Sequence, residues 1–193
     1  MSSKEPGRPD LRLIHGAFVC KTSLGTIQVV AAPKETPPFA VDAIVFEEDT
    51  FLVLSADPTV RDPKVPLVRI MTTLIETQPE TPGRVLVRGK TPLMLLAVIH
   101  DFHQEPSWKE EWIETALKGI FQESERRRLG SIAIPLLGTV HGALDKGSAV
   151  GLIGRVIGQG ALQHLRRLWL IVSAGTAREI VGMLDRAFQG LDK

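Results

Sequence analysis

The sequence predicts an α/β domain built around a mixed, largely parallel central sheet. Three observations carry that expectation. Apolar runs of strand length recur along the chain, segments with helical spacing separate the later ones, and glycine-bearing turns join strand to helix. Continuous apolar strands alternating with amphipathic helices are what a sheet buried on both faces requires. With 193 residues, 44% of them hydrophobic and 23% charged, the chain is long enough for one sizeable core, and one domain is the default.

Strands are expected over residues 11–19, 26–32, 41–46, 84–87, 93–99, 131–137 and 168–172, the first two or three pairing as a hairpin. The clearest helix opens at Ser107, where Ser107 and Glu110 have capping-box spacing and Trp112, Ile113, Ala116, Leu117, Ile120 and Phe121 form one apolar stripe. Its end is expected near Arg126 to Arg128, where positive charge suits the negative end of the helix dipole. Thr176 and Glu179 have the spacing of a second capping box before a C-terminal helix that turns Ile180, Val181, Leu184 and Phe188 inward. A third helix is expected after Pro66, with Val68, Met71, Leu74 and Ile75 on one face and prolines from Pro79 to Pro82 ending it. In the helix after Asp145, Gly147, Gly151, Gly154 and Gly158 share a face. Such a stripe suits a helix pressed against its own domain, the reading taken here, or against another subunit.

Twenty-three basic against 22 acidic residues leave a net charge of +1, too little to recruit a polyanion, so nucleic acid is not an expected partner. Cys20 is the single cysteine. A disulfide framework and a multi-cysteine zinc site are therefore excluded, and Cys20 reads as a small core residue in a reducing, cytoplasmic protein. Met1 to Asp10 reads as a flexible tail with no signal-peptide pattern, leaving 11–193 as the domain. The longest uncharged apolar run, Pro92 to His100, is far below the roughly 20 residues of a membrane span.

Two motifs tempt and fail. Gly83 to Thr91 ends like a phosphate-binding P-loop but has five residues between its glycines where that loop needs four. His100, Asp101 and His103 cluster at a strand end, yet neighbours on a strand diverge, so a strand-end histidine is the simpler reading and no metal is expected. The segment from Ser131 to Asp145 differs in kind: an apolar strand enters a turn with two glycines and a threonine, and a helix with Asp145 at its N-cap follows. Such turns aim successive N–H groups into one concavity that phosphate oxygens can fill. The place, beyond the carboxyl end of a strand, is where open α/β sheets commonly bind ligands.

Taken together, these segments resemble a macro domain, the module known for binding ADP-ribose. Val41-Asp42-Ala43-Ile44-Val45 is similar to that family's first core strand, Ala97-Val98-Ile99-His100 to the strand ending in Ile-His, and Ile134 to Thr139 to the strand entering the diphosphate loop. The resemblance covers most of the chain after residue 26 and rests on the order and spacing of short motifs. It implies a macro-domain-like three-layer α/β/α sandwich. It also implies a nucleotide held by Gly138, Thr139, Val140, His141, Gly142 and Ala143, with Phe46 at the end of the first core strand. The chain departs from the family at three places. Glu35, in Pro33-Lys34-Glu35-Thr36, stands in for the aspartate that contacts adenine. Phe46-Glu47-Glu48-Asp49-Thr50 replaces the Asn-Ala-Ala-Asn run that serves hydrolysis, and three carboxylates there would repel a diphosphate unless they face away or hold a cation. Val140 stands where the family places glycine, and His141 adds a compensating donor.

The leading expectation is a module that binds ADP-ribose or a related nucleotide diphosphate, free or on an ADP-ribosylated protein, without the usual hydrolytic apparatus and without a cofactor. Two others stand beside it. One is an ADP-ribosyl or ADP-ribose-phosphate hydrolase in which Glu47, Glu48 or Asp49 positions water and His141 assists proton transfer. The other is a degenerate macro fold acting in assembly, as a homodimer or on a protein partner, through its glycine-striped helix.

Overall fold

In the computed structural model, residues 19–54 and 78–189 are described. The tail 1–10, nearly all of the strand expected over 11–19 and the helix expected after Pro66 lie outside them. Seven strands and three helices follow in chain order: β1 (Cys20–Leu24), β2 (Ile27–Ala32), β3 (Ala43–Asp49), β4 (Val85–Arg88), β5 (Leu93–His100), α1 (Glu110–Arg126), β6 (Ser131–Pro135), α2 (Lys146–Gln159), β7 (Arg167–Ile171) and α3 (Ala177–Gln189). They form one mixed sheet of order β1-β2-β7-β6-β3-β5-β4. The five inner strands are parallel, and β1 and β4 are antiparallel edges.

A hairpin is expected between residues 11–19 and 26–32; the described partner of β2 is instead β1, Cys20 opposite Ala31, the chain turning at Gly25 with φ +56°. β1 alternates between half-buried and exposed positions, the mark of an edge strand rather than of an apolar run. Inner strands are continuous: Leu95 to Ile99 of β5 are at most 2% exposed. Val29, Ala31, Ala43, Val45, Leu95, Ala97, Ile132, Ile134, Leu168 and Leu170 form one core with the inward faces of all three helices. On the other face, Ala32, Ala133 and Trp169 gather Phe39, Val41, Ile44 and Ile171, and the indole Nε1 of Trp169 donates to the Ala32 carbonyl at 3.0 Å.

Asp42 binds two elements together. Its Oδ2 accepts from the N–H groups of Gly130 and Ser131 at 2.9 Å and from Ser131 Oγ at 3.0 Å, fixing the start of β3 to that of β6. A carboxylate with three donors tolerates burial that an unpaired one would not.

Both expected capping boxes fail. α1 starts at Glu110 with Lys109 as N-cap and no side-chain cap. Asp101 N donates to the Ser107 carbonyl at 2.7 Å and Trp108 bridges His100, so the chain is still tied to β5 where a helix would have begun. Before α3, Thr176 Oγ1 donates to the Ser173 carbonyl at 2.9 Å, a turn internal to the preceding loop. At the other end of α1, Arg126 and Arg127 both pair with Glu123, and Arg128 at φ +55° turns the chain out of the helix. The N-cap at Asp145 holds: its Oδ1 accepts from Ser148 N at 3.0 Å. Within the glycine stripe, a Cβ on Gly154 would lie 3.6 Å from Ala187 and 3.7 Å from Leu184, so at this position the stripe is used against α3.

Candidate functional site

The carboxyl ends of the parallel strands bring the candidate residues to one edge of the molecule. Glu35 follows β2, Ser173 to Thr176 follow β7, the 136–144 turn follows β6, Glu47 to Asp49 close β3, and His100 closes β5. Residues up to 141 positions apart in sequence meet there because parallel strands end together.

Two glycines shape the 136–144 turn. Gly138 has φ +79°, and a Cβ on it would meet Ile113 Cδ1 at 2.5 Å. A Cβ on Gly142 would meet the Gly138 carbonyl oxygen at 2.5 Å and Trp108 Cδ1 at 3.0 Å. Both need glycine for close approach, and at Gly138 also for the left-handed backbone. Several donors of the turn are already used. Thr139 N and Thr139 Oγ1 both donate to the Leu136 carbonyl, at 3.1 and 2.7 Å, and Leu144 N donates to the Gly138 carbonyl at 3.2 Å. Gly138 N donates to Glu47 Oε1. The N–H groups of Val140, His141, Gly142 and Ala143 find no acceptor among the described residues. Val140 is 71% exposed, so its side chain stands out from the turn instead of filling it.

The three carboxylates of β3 have separate surroundings. Glu47, on the face shared with Val45, reaches Gly138 N and lies 3.9 Å from His100 Nε2. Glu48 is buried, and strand alternation puts it and Phe46 on the opposite face, with Ile44. Asp49 accepts from the N–H groups of Phe51 at 2.6 Å, Val53 at 2.9 Å and Leu54 at 3.0 Å, so its carboxylate holds the loop after β3. A register shift between Glu48 and Asp49 marks the same place.

His100 is fully buried, its two ring nitrogens without a hydrogen-bond partner among the described residues. Its ring lies 6.1 Å from that of Phe102 and 6.2 Å from that of His141. Asp101 accepts from His103 N at 3.0 Å and Gln104 Nε2 at 2.7 Å, making a turn of its own. His103 packs on Phe51, ring centres 5.6 Å apart.

Beside the turn, on the side of β2 and β7, opens a cleft of about 280 Å³ whose walls include Lys34, Glu35, Thr139, Val140, Lys146 and Thr176. Of the residues singled out from sequence, Glu35, Thr139 and Val140 therefore share one cavity. Lys34, Lys146, Ser173 and Thr176 also line it and carried no sequence signal for a site; a pattern of cations adjoining a glycine turn could have marked the two lysines. Asp145 guards the α2 end of the turn. Its carboxyl is held below the usual range first by the Ser148 hydroxyl and then by the Ser148 N–H.

No family model matches this sequence, and neither does any curated protein. Solved structures do match. A variant of the Oceanobacillus iheyensis macrodomain with ADPR superimposes with TM-score 0.63 at 13% identity, covering 90% of this chain and 98% of that one. The same macrodomain with ADP gives 0.63 at 12% identity, with 90% and 96% coverage. The macrodomain of Thermus aquaticus DarG gives 0.53 at 18% identity, with 75% and 98% coverage. The mixed, mostly parallel seven-stranded sheet and these likenesses define the class: the chain has the macrodomain fold. At such low identity, what it binds must be argued from its own residues.

Proposed function

We propose that the chain is a macro-like module that binds ADP-ribose or a related nucleotide diphosphate through the 138–143 turn, without the usual hydrolytic apparatus. The observation that carries this reading is the row of four consecutive N–H groups, Val140 to Ala143, with no acceptor among the described residues. Such a row, at the edge of a cleft carrying Lys34 and Lys146, suits phosphate oxygens. Glu35 lines the same cleft, and its carboxylate would accept from an exocyclic amine such as that of adenine. The solved macrodomains with ADPR and ADP support the ligand class. Two of the three carboxylates support binding without turnover: Asp49 is committed to three backbone donors and Glu48 lies on the far face of β3.

Titration of the ¹⁵N-labelled protein with ADP-ribose tests this. The amide resonances of Val140 to Ala143 are expected to shift, with those of Lys34 and Glu35. Unmoved resonances at millimolar nucleotide would overturn the reading.

A further inference from the structure

We propose that Glu47 sets the size and charge of the ligand, so that the cleft takes a nucleoside monophosphate in preference to ADP-ribose. This inference rests on the reading above that the turn holds a nucleotide phosphate, and departs from it on how many phosphates the preferred ligand carries.

Three positions around the turn could receive negative charge: the Gly138 N–H, the start of α2, and the N–H groups of Val140 to Ala143. The chain's own carboxylates fill the first two. Glu47 Oε1 accepts from Gly138 N, and Asp145 accepts from Ser148 N at 3.0 Å and Ser148 Oγ at 2.6 Å. What remains for a ligand is the third position together with Lys34 and Lys146 in the adjoining cleft. Lys34 and Lys146 against Glu35 on the same cleft leave one net positive charge, which together with the short row of N–H groups suits one phosphate rather than two.

Size and direction agree. At about 280 Å³ the cleft lies just below the roughly 300–1,000 Å³ usual for small-molecule sites. It opens over the ends of β2, β7 and β6. A ligand whose second phosphate and ribose extend past the turn lies over the ends of β3 and β5, the next strands in the sheet. There it meets the Glu47 carboxylate, whose side chain is 8% exposed, with His100 packed 3.9 Å behind it. A carboxylate so enclosed is poorly screened by solvent and repels a phosphate brought beside it. Glu47 is in this sense a built-in anion: it supplies the turn with the acceptor a longer ligand would otherwise provide.

Calorimetric titration of the full chain with adenosine 5′-monophosphate and with ADP-ribose decides the matter. The unsubstituted protein is expected to bind the monophosphate about tenfold more tightly. Glu47→Gln keeps an acceptor for Gly138 N and removes the charge, and is expected to bring the two affinities within about threefold of each other, mainly by tightening ADP-ribose. Tighter binding of ADP-ribose by the unsubstituted chain would overturn the inference and leave the nucleotide-binding reading standing; that comparison needs no variant to fold. A preference for the monophosphate that Glu47→Gln leaves unchanged would remove Glu47 as its cause. Failure of both nucleotides on both proteins would instead defeat the nucleotide-binding reading itself.

Discussion

Individual residues at the turn are held by steric limits as tight as those of any core position. Gly138 combines a φ of +79° with a Cβ position only 2.5 Å from Ile113 Cδ1. The left-handed φ alone would strain another residue there, and the end of the Ile113 side chain would also have to move. Gly138→Ala is expected to lose roughly 2–4 kcal/mol, the sum of left-handed strain and overpacking. Urea denaturation would show it as a lower midpoint at unchanged slope; an unaltered midpoint would mean that Ile113 and the backbone relax freely. Asp49 makes a complementary point. Its chemistry as a carboxylate is spent on three N–H groups, so an acidic residue beside a candidate site is serving the fold. Only Glu47 of the three adjacent acids touches the turn.

Among elements, the connection from α2 to β7 is fastened to α1 by one side chain. Glu125, on the last turn of α1, accepts from the N–H groups of Gln163, His164 and Leu165 and from His164 Nδ1. Partial burial raises its pKa, but the hydrogen bonds from the His164 side chain and the three backbone groups outweigh that and bring it from 4.5 to about 2. A carboxyl with a depressed folded-state pKa stabilises above its unfolded value and loses that contribution as pH falls through the folded one. The fastening is therefore complete above about pH 4.5 and lost by about pH 2. After allowance for solvent screening it contributes roughly 1–2 kcal/mol. Thermal melts of Glu125→Gln should show a lower Tm than the unsubstituted chain at pH 6 and convergence of the two near pH 2. A constant difference across that range would refute the assignment.

For the whole molecule, the packing of α2 on α3 is where an assembly reading and an internal reading of the glycine stripe part. Gly154 faces Ala187 and Leu184 at ordinary contact distance, so a leucine there would have no room. Gly154→Leu is expected to lower stability by roughly 1–3 kcal/mol and to leave the sedimentation coefficient of the folded protein unchanged. A changed oligomeric state at unchanged stability would favour an intermolecular role for the stripe. The sheet order explains how one edge gathers the site. β2, β7, β6, β3 and β5 are neighbours in space although far apart in sequence, and all end on the same side.

The alternation of apolar runs and helical segments was enough to determine an α/β architecture, because period and continuity of hydrophobic residues are local properties. The N-cap at Asp145, the turn at Gly138 and the buried stripe of α1 were legible for the same reason. β1 was not, because an edge strand buries only alternate residues. The two capping boxes had correct spacing yet do not form: bonds from Asp101 to Ser107 and from Thr176 to Ser173 commit those residues elsewhere. Only tertiary structure decided that Glu47, 91 residues from Gly138, takes its N–H, and that Lys34 and Lys146 share one cleft. Such pairings depend on strand order, and strand order is set by packing across the whole sheet rather than by any stretch of sequence.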